Sequence, residues 1–154
     1  MKRSLKRLRF YLSWPGLALY FRRRPRARVA ILDENGRVLL VQGQWKAWYG
    51  DDGWGLPGGG LDPGEEPAGG AARELSEELG LKVAASDLKL LARERIRDHG
   101  ISYEAYLFML PLKGRAAPDV QPGELVTLAW CAPEDLARYR LKADIKRVRQ
   151  LLNI

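Results

Sequence analysis

Residues 59–81 read GGLDPGEEPAGGAARELSEELGL. A glycine-rich turn, Gly58-Gly59-Gly60, runs through Pro63-Gly64 into a helix that should open near Glu66, with Pro67 in its first turn, where a missing N–H costs nothing. Gly80 is placed to end it as a C-cap. Ala68, Ala72, Leu75 and Leu79 recur at helical spacing and predict an apolar face. At about 100° per residue, Glu74, Glu77 and Glu78 fall within roughly one third of the helix circumference, away from Leu75 and Leu79. Like charges at i, i+4, as in Glu74 and Glu78, destabilise a bare helix. A cation offsets that repulsion, and carboxylate oxygens are hard donors that suit Mg²⁺ or Mn²⁺. No His or Cys stands at zinc-ligand spacing. The glycines let backbone approach a ligand without interference from a Cβ. Glutamates on one helix face beside such a turn point to hydrolysis of a phosphoanhydride, with the metal activating water and a free glutamate taking its proton.

Outward from this stretch the chain alternates strands and helices. Arg28 to Leu32 and Arg37 to Gln42 read as two strands joined by Asp33-Glu34-Asn35-Gly36, with Asn-Gly supplying the positive φ of a tight hairpin. A polar and aromatic loop, Gly43 to Gly53, contains Trp45, Trp48 and Tyr49. Trp54-Gly55-Leu56 forms a short strand leading to the glycine turn. Leu88 to Ile96 and Ile101 to Leu110 pair around Asp98-His99-Gly100. The later half of the second has little polar character, so both its faces should be covered. A loop, Lys113 to Gly123, leads to the strand Leu125 to Cys131. Pro133-Glu134-Asp135-Leu136 opens a short helix. Asp144 is placed to cap a last helix in which Ile145, Val148 and Leu152 share a face. This order predicts an α+β, or mixed α/β, layer with helices on a sheet.

At 154 residues, with 46% hydrophobic and 29% charged side chains, the chain has the size and composition of one globular domain. Its single cysteine, Cys131, excludes an intramolecular disulfide and suits a reducing, cytoplasmic setting. The net charge of +7 is concentrated: residues 1–28 hold ten of the 26 Lys and Arg and none of the 19 acids. The chain therefore divides into a basic amphipathic arm, residues 1–24, and a mildly acidic body, residues 25–154. The arm's apolar run, Phe10 to Phe21, is broken by Pro15-Gly16 and is shorter than the roughly 20 residues of a membrane span. RRRPR stands where a secretory cleavage site would lie. Leu5, Leu8 and Leu12 form a stripe that packs on the domain or on a second subunit, giving a homodimer. The alternative is that the basic face lies on anionic membrane or along nucleic acid.

The fixed residues Gly59, Glu65, Arg73-Glu74-Leu75, Glu77-Glu78 and Gly80-Leu81 fill every position of the Nudix box, and the chain resembles the Nudix hydrolase family, the MutT-like pyrophosphohydrolases. Val29 to Val41, Trp54 to Gly59, and Trp130 with Pro133-Glu134-Asp135-Leu136 are similar to the family's opening strand pair, its lead-in to the box and its closing strand and helix. The resemblance implies an α/β/α sandwich around a mixed β-sheet. It implies Mg²⁺- or Mn²⁺-dependent hydrolysis of a nucleoside diphosphate linked to another group, such as a nucleoside triphosphate. Glu74, Glu77 and Glu78 become the implied metal ligands, joined by a carbonyl of Gly58 or Gly59. Arg73 would orient a glutamate, and Glu65 would brace the loop. Asp119 and Glu124, with Glu104 behind them, are candidates for a further acid. Gly58, Gly59 and Gly60 would bind substrate, with Trp45 and Trp48 either stacking a base or packing beneath their loop. Two other readings stand beside this one: a binding or regulatory module without catalysis, and an enzyme on a larger anion such as an RNA 5′ end or a lipid diphosphate.

Overall fold

A computed structural model describes residues 24–43, 53–98, 101–113, 117–121 and 125–154. Trp45, Trp48, Tyr49, His99, Glu124 and residues 1–23 of the basic arm lie outside them. The described elements are β1 (Arg26–Leu32), β2 (Val38–Gly43), α1 (Pro67–Leu79), β3 (Lys89–Asp98), β4 (Ile101–Pro111), β5 (Leu125–Cys131) and α2 (Ala143–Leu152). Short 3₁₀ turns cover Ala85–Asp87 and Pro133–Arg138.

The strands form one mixed sheet in the order β3-β4-β1-β2-β5. β1 runs parallel to β4 and antiparallel to β2, while β2–β5 and β3–β4 are antiparallel. β1 is central, and its apolar residues are buried on both faces, as an interior strand requires. Ala27, Val29 and Ile31 pack with Ala71, Leu75 and Leu79 of α1. On the other face Ala30 packs with Leu40, Leu107, and Ile145 and Val148 of α2. The two helices therefore cover opposite faces, and the α/β/α sandwich is the observed architecture. β4 has buried residues on both faces, Ala105 and Leu107 towards α2, Phe108 and Leu110 towards α1.

One departure from regular pairing positions everything that follows. β1 and β2 meet at Leu32↔Val38 and then separate. The segment 54–61 fills the opening. The Val41 and Gly55 amides exchange bonds with each other's carbonyls, at 2.9 and 3.0 Å. The Val29 and Ala27 amides donate to the Pro57 and Gly59 carbonyls, both at 3.0 Å, and the Leu61 amide donates to the Pro25 carbonyl at 2.9 Å. Backbone amides that β1 would have offered to β2 thus hold the glycine turn instead.

Three expectations are corrected. In the hairpin turn only Gly36, at φ 74°, has positive φ; Asn35 does not. The Asp33 carboxylate shapes the turn, accepting from the Asn35 and Arg37 amides at 2.9 and 2.8 Å. In α1 the fully buried alanine is Ala71, while Ala68 and Ala72 sit at the margin of the core. Asp144 is not the cap of α2; Lys142 occupies that position, and Asp144 lies inside the first turn.

Candidate active site

Helix α1 is fixed at both ends by its own sequence. The Glu66 carboxylate accepts from the Ala68 and Gly69 amides at 2.9 and 3.0 Å, and Pro67 follows it. Gly80 adopts φ 64°, and Leu81 N donates to the Leu75 carbonyl at 3.2 Å. Segment 117–121 satisfies two more terminal carbonyls: Asp119 N donates to Leu79 O and Gln121 N to Glu78 O.

This helix carries its glutamates to the glycine turn. Glu74 and Glu78 are each only 8% exposed, so the face opposite the leucines is not simply solvated. Glu78 Oε2 accepts from the Gly58 amide at 2.7 Å. The Glu74 carboxylate lies so close to Gly59 that a Cβ there would stand 2.5 Å from it. Gly58, at φ 120°, would place a Cβ 2.3 Å from the Ala27 carbonyl oxygen. Both positions therefore need glycine, one for its conformation and one for contact with the carboxylate. Glu77 is the exposed member of the three.

Arg73 ties turn and helix together. Its Nε and Nη2 grip the Glu65 carboxylate at 2.9 and 3.0 Å, a bidentate pair, and Nη2 also donates to the Gly60 carbonyl at 3.1 Å. Nη1 donates to Glu74 Oε1 at 3.0 Å and to Glu77 Oε2 at 3.1 Å. The hydrogen bonds to Glu65 are the main reason the Arg73 pKa is raised; burial opposes them and Glu74 adds to them. The same hydrogen bonds from Arg73, then the Asp62 amide, hold the Glu65 carboxyl below its ordinary value against burial.

Two functional-looking residues were not singled out from the sequence. Arg28, on the α2 face of β1, sends Nη1 to the Gly58 carbonyl and, at 3.5 Å, towards that of Leu56. Its Nε faces Asp144 Oδ2 at 3.7 Å. Asp144, buried at 3% exposure, accepts from the amides of Leu56 at 3.2 Å and Ile145 at 2.7 Å. Burial pulls the Arg28 pKa down, but Tyr103, Asp144, Glu78 and Glu74 together pull it up by more, and the guanidinium stays charged. Burial pushes the Asp144 carboxyl upward, and Arg28 and the two amides only partly oppose it. The available signal was an arginine one position before the apolar run Val29 to Leu32 of an interior strand, which calls for a buried acid elsewhere.

The remaining candidates stand apart. Glu104 pairs with Arg93 at 2.6 Å across the β3–β4 hairpin. Asp119 is exposed at the C-terminal end of α1. Among the described residues no three acidic, imidazole or thiol groups converge as a ready-made metal cage. The donors nonetheless fit a hard divalent cation: they are oxygens only, two are carboxylates held buried and adjacent to the turn, and the missing Cβ of Gly59 lets the Glu74 carboxylate lie directly against the turn's backbone. The Gly58 carbonyl faces Arg28 and the Gly59 carbonyl takes the Ala27 amide, so either would reach a cation through its second lone pair.

The NUDIX domain model matches residues 22–152. The RNA pyrophosphohydrolases of Tolumonas auensis and Proteus mirabilis are 42% and 40% identical to the chain over 72 residues, 47% of this chain in each case. The matched part spans 37% of those relatives' length. The MutT NUDIX hydrolase of Burkholderia pseudomallei is 30% identical over 74% of this chain and 86% of that one, with a TM-score of 0.61. The MutT protein of Methanosarcina mazei, 21% identical, shares the fold with a TM-score of 0.68 over 83% of this chain and 91% of that one.

Proposed function

The chain belongs to the NUDIX family, and from that premise we propose that it hydrolyses a phosphoanhydride bond in a nucleoside diphosphate linked to another group, with Mg²⁺ or Mn²⁺ as cofactor. The observation that carries this is the buried pair Glu74 and Glu78 set against Gly58 and Gly59. Two carboxylates drawn to 8% exposure against a glycine turn form no ordinary solvated helix face, and Arg73 on Glu74 and the Gly58 amide on Glu78 offset only part of the cost of bringing three glutamates together. A bound divalent cation would offset the rest, neutralise phosphate charge and activate water. Glu74, Glu77 and Glu78 would hold it, with a carbonyl of the turn.

The protein's own part is positioning. Gly58 N fixes the Glu78 carboxylate, and Arg73 restrains Glu74 and Glu77 while anchoring Gly60 and Glu65. Glu77, with its side chain 60% exposed, is the carboxylate most open to incoming substrate and water. A glutamate not engaged by the cation takes the proton of the attacking water. Asp119 and Glu124 stay candidates for a further acid. Trp45 and Trp48 stay candidates for base stacking. Cys131, buried and unpaired, suits a reducing, cytoplasmic setting. Among the described residues no helix is long and apolar enough to cross a membrane. The basic arm, residues 1–24, remains a candidate for a homodimer contact or for binding anionic surfaces.

A second reading is an RNA 5′ end as substrate. It is favoured by the names of the relatives and by the concentration of ten Lys and Arg, with no acid, in residues 1–28. The test incubates the full chain with Mg²⁺ or Mn²⁺ and a panel of nucleoside triphosphates, dinucleoside polyphosphates, nucleotide sugars and a 5′-triphosphorylated oligoribonucleotide. Turnover of one class that Glu78→Gln abolishes supports the proposal and chooses between the readings. No turnover of any, with wild type and Glu78→Gln alike, would leave a non-catalytic binding module.

A further inference from the structure

Three successive carbonyls of the segment entering the helix are held from β1, and one of them is held differently. Those of Pro57 and Gly59 lie in the plane of the sheet and take the backbone amides of Val29 and Ala27. Gly58, at φ 120°, is outside the extended region, and its intervening carbonyl takes no backbone amide of β1. The side chain between those two amides, Arg28, receives it. The same peptide unit's neighbour on the other side is fixed too, since the Gly58 amide donates to Glu78. Gly58 is thus held at both of its polar atoms, by a cation from the α2 face and by a carboxylate from the α1 face.

Arg28 is itself held. Its Nε lies 3.7 Å from Asp144 Oδ2, with no hydrogen-bond partner among the described residues, so the pairing is ionic and depends on where Asp144 is placed. Asp144 is placed by α2, by the Leu56 amide and by Gly55, where a Cβ would come within 3.3 Å of Oδ2. Burying an ion pair is rarely a source of net stability. This one costs desolvation at a point where the chain could have packed apolar side chains, and what it gains is a fixed direction for one carbonyl.

We infer that Arg28, anchored by Asp144, is a positioning residue for the metal site: it orients the Gly58 peptide and, through the Gly58 amide, the Glu78 carboxylate. This rests on the reading of Glu78 as a metal ligand. Arg28 is engaged by the Gly58 and Leu56 carbonyls and by Asp144, behind the turn as seen from α1. Its effect runs through one glycine, which is why the residue can be far from Glu78 in sequence and on the opposite face of the sheet.

Charge and position make opposite predictions, and that gives the test. Arg28 is a cation near two metal-binding glutamates, so if charge alone mattered its removal would tighten metal binding. If it positions Glu78, its removal weakens binding. Mn²⁺ affinity of the full chain, without nucleotide, is measured by electron paramagnetic resonance for wild type, Arg28→Met, Arg28→Lys, Asp144→Asn and Glu78→Gln. The measurement is made well below the melting temperature of each. Arg28→Met is expected to weaken Mn²⁺ binding about tenfold or more, the range seen when groups that orient metal ligands are lost. Arg28→Lys, which keeps one donor but not the fork, should fall between wild type and Met. Asp144→Asn should weaken binding in the same direction. Binding by Arg28→Met as tight as wild type, or tighter, overturns the inference. If Arg28→Met does not fold, unchanged affinity in both Arg28→Lys and Asp144→Asn overturns it. Glu78→Gln separates the two levels: if it leaves Mn²⁺ binding intact, the metal-site reading itself fails, whatever Arg28 does.

Discussion

At the scale of single residues, the two glycines of the turn are expected to fail for different reasons. Alanine at Gly58 would sit at φ 120° with its Cβ 2.3 Å from a backbone oxygen of β1, which cannot yield without moving the strand. A destabilisation on the order of 3 kcal/mol is expected, read as a lowered denaturant midpoint. The atoms nearest a Cβ at Gly59 belong to the end of the flexible Glu74 side chain, which can yield at the expense of its bond to Arg73. The melting temperature of Gly59→Ala should change little while Mn²⁺ affinity and turnover fall together. Glu78→Gln keeps an acceptor for the Gly58 amide but removes the charge. It should therefore keep its fold and lose at least about 100-fold in turnover, measured on whichever nucleotide the panel identifies. The glutamates and glycines were legible because their chemistry is local: spacing on one helix and one turn brings them together. Arg28 and Asp144 were not, because residues 116 positions apart meet only through the sheet's topology.

At the scale of elements, α1 is where the sequence is easiest to read. Its cap glutamate, first-turn proline and left-handed glycine all act within a few residues of themselves. Removing the cap by Glu66→Ala should cost about 1 kcal/mol. The turn before the helix adds a pH dependence. Arg73 and the Asp62 amide hold the Glu65 carboxyl below its ordinary value of 4.5. A carboxylate whose pKa is lower folded than unfolded contributes stability that is fully present above the unfolded value. That contribution disappears as pH falls through the folded one. The melting temperature should therefore drop in acid below about pH 4.5, and Glu65→Gln should be less stable at neutral pH and show a shallower drop. The element-level errors arise where a side chain, rather than the backbone pattern, decides the geometry. An aspartate near a helix start suggests a cap, but Asp144 Oδ1 takes only the adjacent Ile145 amide, and the partners of its Oδ2, Leu56 and Arg28, come from distant segments that local pattern cannot see. In the Asp33 turn a side-chain acceptor replaced the second positive φ that Asn-Gly suggested.

At the scale of the whole molecule, the strand order could not be deduced from periodicity, because β1's apolar run is equally compatible with several neighbours. What the order β3-β4-β1-β2-β5 does is separate two cores by one sheet while leaving a gap between β1 and β2 for the glycine turn. The consequence is testable through additivity. Leu75, fully buried under α1, and Ile145, fully buried under α2, belong to different clusters and share no packing partners. Leu75→Ala and Ile145→Ala should each cost about 3 kcal/mol. In urea unfolding the double variant should lose the sum within about 0.5 kcal/mol, still in one transition, because the strands between the clusters are common to both. Should the double variant be too unstable to measure, Leu75→Val and Ile145→Val supply the same cycle at smaller cost. Coupling well beyond that margin would mean that the two faces communicate through packing in general. The absence of coupling would confine communication between the layers to polar contacts such as those of Arg28 with Asp144 and Gly58, where the two layers meet at the proposed site.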